Sequence, residues 1–481
     1  MKKLIILLIL TVISSSAFCK TITVTSSADS GAGTLRQAVL DANANDSIVF
    51  DANISKIVLS NQLILDKNLT INGSSTTKTS ISVSAGYYLW EFVIQTGAAV
   101  KVNNLIFRDV NVVSTCAGAV VNYGVLTVTN CVFTNNKILR FGAGINNCTG
   151  ATLYVDSCEF YQNNCGEGGA LGTAPNSTAY ISNSFFENNS APSGSAIFNQ
   201  GNMNTINCTF SSNINTGIYG GTVFNNFGGA INLINCTFNA NSGSSCSAFS
   251  NDMNSTVFIA NTLFVNNICS SSSSATIFNG QSSGYSSTLT LVNNTIAGNK
   301  AIGVYNSYGT AKLYNNIVWD STTDVYTTNS GLTAANNLIG SSNVDLSGNN
   351  NIINIAPKFV GNGDYSLQAG SPAINAGNNN YLPDSIKLDL QGKARVSGSL
   401  IDMGAYEYVN GLSIQNIPAT SGILVYATSG RIIVTNITGQ KQIYTASGQR
   451  ISSGYGVEFP VPAPGIYILK AGAVVQKVIV K

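Results

Sequence analysis

The stretch Leu126–Asn136, LTVTNCVFTNN, sets a pattern that the chain repeats: apolar-x-apolar-x-Asn-small-x-Phe-x-x-Asn. The five further strong copies are Leu153–Asn163, Ala179–Asn189, Met203–Asn213, Ile231–Asn241 and Val257–Asn267. Weaker copies at 289–299 and 311–321 carry Ile296 and Val318 in place of the phenylalanine. The strong copies begin 24 to 28 residues apart. A repeat period of about 20–50 residues is typical of a solenoid or a propeller.

Each copy predicts two short strands and two bends. Leu126 and Val128 lie two residues apart, as in a strand with one buried face. Asn130 interrupts this alternation, and asparagine tolerates the left-handed backbone of a bend; Asn136 predicts the second bend. Such turns stack in parallel about 4.8 Å apart. Helical repeats lack this period, and a propeller blade needs about 40–45 residues. The sequence therefore predicts an all-β fold, a right-handed parallel β-helix of the pectate-lyase type.

Stacked turns place equivalent side chains above one another. The predicted phenylalanine ladder is Phe133, Phe160, Phe186, Phe210, Phe238 and Phe264. The predicted asparagine ladder is Asn130, Asn183, Asn207, Asn235 and Asn261. Cys131 and Cys158 begin a third, inward ladder, where cysteine acts as a small hydrophobe. We expect these ladders to be structural and to perform no chemistry.

Composition narrows the class of protein. Charged residues make up 9% of the 481 residues, against roughly 25% in an ordinary soluble domain. The net charge of +2 predicts no nucleic-acid partner. The chain has no histidine, the commonest general base at neutral pH.

The chain begins with a predicted signal peptide, residues 1–19. Lys2 and Lys3 precede the apolar run 4–13, and Ala17-Phe18-Cys19 offers a cleavage site before Lys20. This pattern predicts a secreted or outer-membrane cell-surface protein. Lipidation of Cys19 is the alternative to cleavage after it.

Residues 20–115 are predicted to form an N-terminal cap and the first irregular coils. Thr34 and Gln37 match a capping box, which predicts a helix over the open end of the stack. The run Asp29–Phe50, DSGAGTLRQAVLDANANDSIVF, resembles the N-terminal module of bacterial surface β-helix proteins.

Residues 116–321 carry the regular repeats, which also contain a second motif. Gly168-Gly169-Ala170-Leu171 and Gly228-Gly229-Ala230-Ile231, with the F-x-x-N copies, resemble the repeats of polymorphic outer-membrane proteins. That family consists of autotransported adhesins, so the resemblance implies an adhesin.

Two further resemblances concern the C-terminal part. Residues 322–410, final coils and cap, contain Pro357–Val360 and Ile401–Tyr408 and are similar to the tail of anchor-bearing bacterial β-helix proteins. Residues 411–481 resemble the C-terminal sorting domain of Bacteroidetes type IX secretion, an immunoglobulin-like β-sandwich. The resemblance implies a secretion-machinery partner and a sorting signal that includes Gly465, Tyr467, Lys477 and Lys481.

Many pectin-active β-helices are enzymes, so the sequence must be compared with what their catalysis requires. Polygalacturonase-like enzymes need a Gly-His-Gly and paired aspartates, and hydrolysis needs two facing carboxylates. The acids of the repeats are Asp156, Glu159, Glu167, Glu187, Asp252 and Asp320, and we expect them to be solvated. The sequence thus predicts no catalytic residue and no enzyme.

Ligand sites are few. No cofactor or metal is predicted, with a calcium site at Asp364, Asp389 and Asp402 as the alternative. Tyr87, Tyr88 and Trp90 are candidates for stacking on sugar rings, against packing in an irregular turn.

These observations predict an exported β-helix that acts as an adhesin-like or glycan-contacting scaffold without catalysis. A cell-surface or extracellular polysaccharide, or a host protein, is the expected partner. A polysaccharide lyase or glycoside hydrolase is one alternative, and a structural surface-layer component is another.

Overall fold

The computed structural model describes residues 19–74, 78–84, 92–112, 118–271, 274–280, 282–319, 321–328, 331–409, 424–428, 431–435, 440–454, 458–463, 465–471 and 474–480. Within these residues three long sheets of parallel strands run the length of the stack, so the predicted parallel β-helix is confirmed. Within each of these three sheets, hydrogen-bonded neighbouring strands belong to successive turns.

Sheet A has thirteen strands among the described residues: Thr21–Val24, Ser47–Phe50, Leu69–Asn72, Ala99–Asn103, Val125–Thr129, Thr152–Asp156, Thr178–Ser182, Asn202–Ile206, Ala230–Ile234, Thr256–Ala260, Thr288–Val292, Thr310–Tyr314 and Leu332–Ala335.

Sheet B also has thirteen strands in the described part of the chain: Lys56–Leu59, Thr79–Val83, Leu105–Arg108, Val132–Thr134, Glu159–Tyr161, Phe185–Glu187, Thr209–Ser211, Thr237–Asn239, Leu263–Val265, Thr295–Ala297, Ile317–Trp319, Leu338–Ile339 and Ile352–Ile353.

Sheet C has eleven described strands: Leu63–Leu65, Phe92–Ile94, Val120–Asn122, Ile145–Asn147, Leu171–Thr173, Ile197–Asn199, Val223–Asn225, Cys246–Asn251, Ala275–Asn279, Ile302–Asn306 and Thr323–Thr327. Two-residue strands pair in the loops between sheets B and C: Asn111–Val112, Lys137–Ile138, Ser190–Ala191, Ile214–Asn215, Ser242–Gly243 and Ile268–Cys269.

The repeated phenylalanines stack inside the column on sheet B. Successive rings from Phe133 to Phe264 have centroids 4.5 to 4.9 Å apart and are nearly parallel. All six side chains are fully buried. The in-register pairing of Phe133 with Phe160 shows why: each turn adds one ring to the same column.

The first predicted bend lies at the asparagine before the phenylalanine. Asn130, Asn183, Asn207, Asn235 and Asn261 all have positive φ, between 50° and 56°. Asparagine suits this left-handed position because its short polar side chain reduces the steric penalty.

The second bend lies one residue earlier than predicted. Positive φ occurs at Asn135, two residues after Phe133, while Asn136 is fully buried. Asn136 Nδ2 donates to Asn163 Oδ1 at 3.0 Å, and the same bond joins Asn163 to Asn189. The asparagine after each phenylalanine is therefore an internal ladder that satisfies buried polar groups, and its neighbour makes the bend.

The N-terminal helical cap is confirmed as a single helix, Leu35–Asp41. Thr34 caps it by accepting from the backbone N–H of Gln37 at 3.2 Å. The Gln37 side chain donates forward to Asp41 at 2.7 Å, so only half of the capping box forms. Leu35, Ala38 and Val39 are buried on the first turns.

After the last coils the chain turns back along the solenoid. This tail, residues 355–408, contains an antiparallel hairpin of Phe359–Gly361 and Asp364–Leu367 and a 3-10 turn, Asn379–Tyr381. Asn261 Nδ2 donates to Leu388 O at 2.7 Å, and Asn293 Nδ2 donates to Asp402 O at 2.9 Å. The tail therefore lies along the corner between sheets A and B.

The C-terminal residues form two antiparallel sheets. Their described strands are Leu424–Thr428, Arg431–Thr435 and Glu458–Pro460 in one sheet, and Lys441–Thr445, Arg450–Gly454, Gly465–Ala471 and Val474–Val480 in the other. Ile432, Ile443 and Leu469 are part of the core between them. The immunoglobulin-like topology stays a prediction. Among the described residues we find no helix with the length and apolar composition of a membrane span.

Candidate glycan-contact site

The outward face of sheet C carries a column of aromatic side chains. In the turn at Ile277–Asn279, Ile277 belongs to the main core and the Asn279 side chain is buried, while Phe278 belongs to a separate apolar cluster outside that core. Register places the following residues in one column: Phe198, Phe224, Ser250, Phe278, Tyr305 and Tyr326. The loops between sheets B and C border this column.

One part of the column forms a pocket of about 400 Å³. Its lining residues are Ile218, Ser244, Ser245, Ser271, Ser274, Phe278 and Tyr305. The pocket is a shallow, open depression whose lining combines apolar side chains with hydroxyl groups.

Two rings form the wedge-shaped floor of this pocket. The ring centroids of Phe278 and Tyr305 lie 4.5 Å apart with the planes tilted by 45°, and Tyr326 meets Tyr305 edge-on at 5.0 Å. Ile218, at the rim, is 69% exposed.

Serine hydroxyls order the rim. Ser274 Oγ donates to Ser244 O at 2.6 Å, and Ser245 Oγ donates to Ile218 O at 2.7 Å. The hydroxyl of Ser244 donates to Gly217 O. These bonds join three successive loops, so the rim is held in place by the fold.

The ligand and sorting residues proposed from sequence have different placements. Tyr87, Tyr88, Trp90 and Lys481 lie outside the described residues. The structure places Gly465 at the start of a C-terminal strand and Lys477 within the last one. Tyr467 is buried, and its hydroxyl donates to Ala463 O at 2.6 Å. The three described sorting residues do not join the pocket on sheet C.

The acids of the repeats are not gathered on sheet C. Glu159 and Glu187 are exposed on sheet B and line a groove of about 1310 Å³ together with Asp364 of the tail. Burial alone would raise the pKa of Asp156, but hydrogen bonds from Ser182, Asn183 and Ser157 lower it.

Two of these acids differ from the expected solvated set. Asp252 is buried and accepts from the backbone N–H and the hydroxyl of Ser282, at 2.9 and 2.6 Å. Burial raises the pKa of Glu167, with Arg140 opposing this. Asp320 lies outside the described residues.

The calcium candidates Asp389 and Asp402 lie together in the tail, whereas Asp364 caps a separate turn through Ser366. Asp389 accepts from the backbone N–H groups of 391, 393 and 407, and Asp402 accepts from those of 375 and 408. Both are buried beside Arg395 and Glu407, whose Nε and Oε1 atoms are 3.4 Å apart. The described residues contain no group of three or more acidic, cysteine or histidine side chains arranged for a metal. Calcium binding stays the untested alternative to the prediction of no metal, and calorimetry with calcium on wild type and Asp402→Ala would test it.

The inward cysteines are free thiols with a polar role. Burial raises the pKa of Cys131 to about 12. Its sulfur accepts from the backbone N–H of Leu105 at 3.4 Å, and the sulfur of Cys158 accepts from that of Cys131 at 3.4 Å. They are more than the small hydrophobes expected from sequence.

Sequence reasoning missed the pocket, although a signal for it exists. The dipeptides Phe198-Asn199, Phe224-Asn225, Phe278-Asn279 and Tyr305-Asn306 recur at the same place in the turn, with Ser250-Asn251 taking that place in one turn between them. The asparagine faces inward and the aromatic residue faces outward. An aromatic residue next to a buried ladder asparagine would have predicted the outer column.

Three solved structures are similar to this chain. A PL6-family alginate lyase matches with a TM-score of 0.39 and 14% identity, over 77% of this chain and 60% of the lyase. The A-module of a mannuronan C-5 epimerase from Azotobacter vinelandii matches with a TM-score of 0.36 and 12% identity, over 69% of this chain and 94% of the module. Tailspike protein 3 of bacteriophage CBA120 matches with a TM-score of 0.36 and 11% identity, over 66% of this chain and 57% of the tailspike. The chain thus spans less than two thirds of the lyase and of the tailspike. No protein-family model and no curated protein matches it.

These comparisons correct one prediction. The inference that the chain is not an enzyme is wrong, because two of these three β-helix structures are enzymes. The inference rested on the missing histidine, yet Asp, Glu, Lys and Tyr also serve as general acids and bases. At 11–14% identity the likeness does not establish catalysis by this chain. The resemblances to outer-membrane repeats and to a type IX sorting domain stay predictions.

Proposed function

We propose that this chain is an exported β-helix protein that contacts polysaccharide, as an adhesin-like surface protein would, and that the sheet C pocket is its contact site. The observation that carries the proposal is the wedge of Phe278 and Tyr305, which lines one pocket with the exposed Ile218 and four serines. Aromatic rings offer apolar faces to sugar rings, and hydroxyls offer hydrogen bonds.

The direction of the column favours a polymer over a single small molecule. Tyr305 and Tyr326 lie in consecutive turns, at the spacing of neighbouring parallel strands, about 4.8 Å. A glycan lying along the solenoid axis would meet one outward side chain at each turn. The ordered rim gives a preformed site, which lowers the entropic cost of binding.

The proposal is tested by affinity electrophoresis in gels containing neutral or acidic polysaccharides. We expect Tyr305→Ala to weaken retardation by roughly fivefold to a hundredfold, taking as a guide the contribution of about 1–3 kcal/mol that stacking on an aromatic side chain makes for a nucleobase. Ile218→Ser is a second variant whose exposed position makes misfolding a poor explanation of lost binding. Tyr154→Ala, on the outward face of sheet A, is the matched control and should bind like wild type.

Two results would overturn the proposal. One is the failure of every polysaccharide to retard the wild type. The other is unchanged retardation of both Tyr305→Ala and Ile218→Ser when their melting temperatures equal that of wild type.

Incubation of the protein with the same polysaccharides tests whether it also cleaves them. Reducing ends report hydrolysis, and ultraviolet absorbance reports the unsaturated products of a lyase. Turnover that Tyr305→Ala abolishes would assign the reaction to the sheet C pocket and make the protein an enzyme.

We also propose export through the signal peptide 1–19 and sorting or anchoring through residues 411–481. The motifs of the sequence support both proposals. Expression of the full chain in a Bacteroidetes host, with cell fractionation and N-terminal sequencing, should give a surface protein that starts at Lys20. Deletion of 411–481 should leave it in the periplasm.

A further inference from the structure

We propose that Tyr154 and Tyr180, on the outward face of sheet A, form a modification site at which a peroxide, acting through a one-electron peroxidase, joins the two phenol rings as a dityrosine cross-link. We call these two residues the sheet A pair. The inference is independent of the proposed glycan contact and rests on the spacing, orientation and exposure of the two rings. The cross-link places one covalent bond between consecutive turns of the solenoid.

The fold holds the two rings face to face. Tyr154 and Tyr180 are in-register partners on neighbouring parallel strands of sheet A. Their ring centroids lie 5.0 Å apart, and the ring planes are 8° from parallel. Side chains stand roughly perpendicular to a sheet, so in-register tyrosines extend side by side towards solvent. The ring carbons next to one hydroxyl therefore face those of the other ring, and these are the carbons that couple in dityrosine.

Both rings are open to an oxidant in solution. Each residue of the sheet A pair is 42% exposed. Neither ring belongs to an apolar cluster of the described residues. The same column continues with Thr127 before the pair and Asn204 after it. Within the column, each ring thus has the other as its aromatic neighbour.

The coupling balances as an oxidation of two phenols. Each phenol loses one electron and its hydroxyl proton and becomes a neutral phenoxyl radical, whose unpaired electron is shared with the ring carbons next to the oxygen. Two such radicals form one carbon–carbon bond. Each coupled carbon then releases its hydrogen as a proton and each phenoxyl oxygen takes one up, which restores both aromatic phenols. The two electrons and two protons removed overall convert one molecule of hydrogen peroxide to two of water.

Proximity favours this pair over cross-links between molecules. A radical on Tyr154 has the ring of Tyr180 beside it, whereas an isolated exposed tyrosine must meet a second molecule. Tyr161 is such an isolated residue, because it is 36% exposed and its in-register partners are Thr134 and Glu187. A tethered partner has an effective concentration in about the millimolar range, well above that of a micromolar protein. The rate of coupling within the pair should therefore not depend on protein concentration.

Two other tyrosine pairs provide comparisons within the chain. The rings of Tyr305 and Tyr326 also have centroids 5.0 Å apart, but they meet edge-on at 85° and are half-buried. The rings of Tyr314 and Tyr381 are stacked at 4.0 Å, but both residues pack against the apolar cluster that contains Ile386. The first pair lacks the parallel orientation of the sheet A pair, and the second lacks its exposure. We expect both pairs to couple more slowly.

Peroxidase treatment of the full chain tests the inference. The protein, at micromolar concentration, is incubated with hydrogen peroxide and a haem peroxidase and is then unfolded and digested after glutamate. Glu159 and Glu167 lie between Tyr154 and Tyr180, so digestion separates the two tyrosines unless a cross-link joins them. The expected product is a joined peptide that is lighter by two hydrogen atoms than the sum of its parts. It should form at least roughly tenfold faster than any cross-link between chains, and at the same rate after dilution.

Two substitutions control the assignment. Tyr180→Phe keeps the ring and removes the phenol, so it should abolish the joined peptide while its melting temperature before oxidation stays that of wild type. Tyr161→Phe should form the joined peptide as wild type does. Oxidation should raise the melting temperature of wild type but not that of Tyr180→Phe, because a cross-link between residues 26 positions apart restricts the unfolded chain.

Three results would overturn the inference. The first is the absence of the joined peptide when oxidation of Tyr161 shows that the peroxidase acted on the protein. The second is a yield that falls in proportion to protein concentration, which would show coupling between molecules. The third is equal or faster coupling of either comparison pair, which would remove the geometric basis of the assignment.

Discussion

At the residue scale, the position after the left-handed residue of the first bend, an asparagine in most turns and Ser157 in one, is defined by hydrogen bonding. Cys131 N–H donates to Cys158 Sγ at 3.4 Å, and Cys158 N–H donates to Ser184 Oγ at 3.1 Å. Further down the stack Thr262 and Asn294 take the same role, with Thr262 N–H donating to Asn294 Oδ1 at 2.9 Å. The sequence pattern shows a small residue there. The pattern does not show that this residue accepts a hydrogen bond from a backbone N–H. Cysteine, serine, threonine and asparagine can all accept that bond although their shapes differ.

This role predicts a difference between two substitutions of Cys158. Cys158→Ala leaves the buried N–H of Cys131 without its acceptor and should lower the free energy of unfolding by about 1–3 kcal/mol. Cys158→Ser keeps an acceptor, as Ser184 does in the next turn, and should lie closer to wild type. Equilibrium urea unfolding followed by tyrosine fluorescence measures both. An equal loss of free energy of unfolding in the two variants would show that the side chain at this position contributes packing volume and no hydrogen-bond acceptor.

At the scale of the element, the predictable parts are those that repeat with the turn. Sheet A, sheet B and the Phe133–Phe264 column follow from the period, because alternation defines each strand and stacking aligns them. The loops between sheets B and C vary in length, so the presence of Ile218 in the same pocket as Phe278 is not encoded in any period. For this reason the candidate site was not predicted from the sequence, although its aromatic column repeats.

The phenylalanine column predicts that substituting two adjacent residues destabilises the fold by unequal amounts. Phe186 is fully buried between Phe160 and Phe210, with ring centroids 4.7 and 4.9 Å away. Phe186→Ala should lower the free energy of unfolding by about 3–5 kcal/mol, because it leaves a cavity that the in-register turns cannot close. Phe185 is half-buried on the outer face. Phe185→Ala should therefore lower the free energy of unfolding much less than Phe186→Ala.

Thermal unfolding ranks the two variants, and amide hydrogen exchange locates the effect. Protection should fall first in the turns that flank Phe186, because each turn of a solenoid contacts only its neighbours. Equal melting temperatures would contradict the structural role of the column.

At the scale of the whole molecule, the tail joins parts of the chain that are far apart in sequence. Gly404 N–H donates to Asn315 O at 2.7 Å, and Ala405 N–H donates to Thr295 Oγ1 at 2.9 Å. The motifs of the tail suggested a terminal cap, while the structure lays this segment along the side of the stack. A pattern of local residues cannot give this placement, since the two contacts join residues 89 and 110 positions apart.

The buried cluster of the tail predicts a pH dependence of stability. Burial raises the pKa of Glu407 to about 8; Arg395 opposes this, while Asp402 and Asp389 add to it. The folded protein thus keeps a proton that the unfolded chain releases near its ordinary value of 4.5. The resulting stabilisation is complete below about pH 4.5 and is lost as the pH rises towards 8, with a slope of at most about 1.4 kcal/mol per pH unit.

Calorimetric melting between pH 6.5 and 8 isolates this effect. Burial raises the pKa of Asp324 only to about 6, so that group contributes mainly below this window. Glu407→Gln cannot titrate, and its amide oxygen can still accept from the backbone N–H of Asp402, which lies 3.0 Å from Oε1 of the glutamate. We expect its melting temperature to fall less steeply with pH than that of wild type, while the exposed Glu187→Gln should follow wild type. Parallel slopes for Glu407→Gln and wild type would mean that Glu407 is already ionised in the folded protein, with Arg395 outweighing burial.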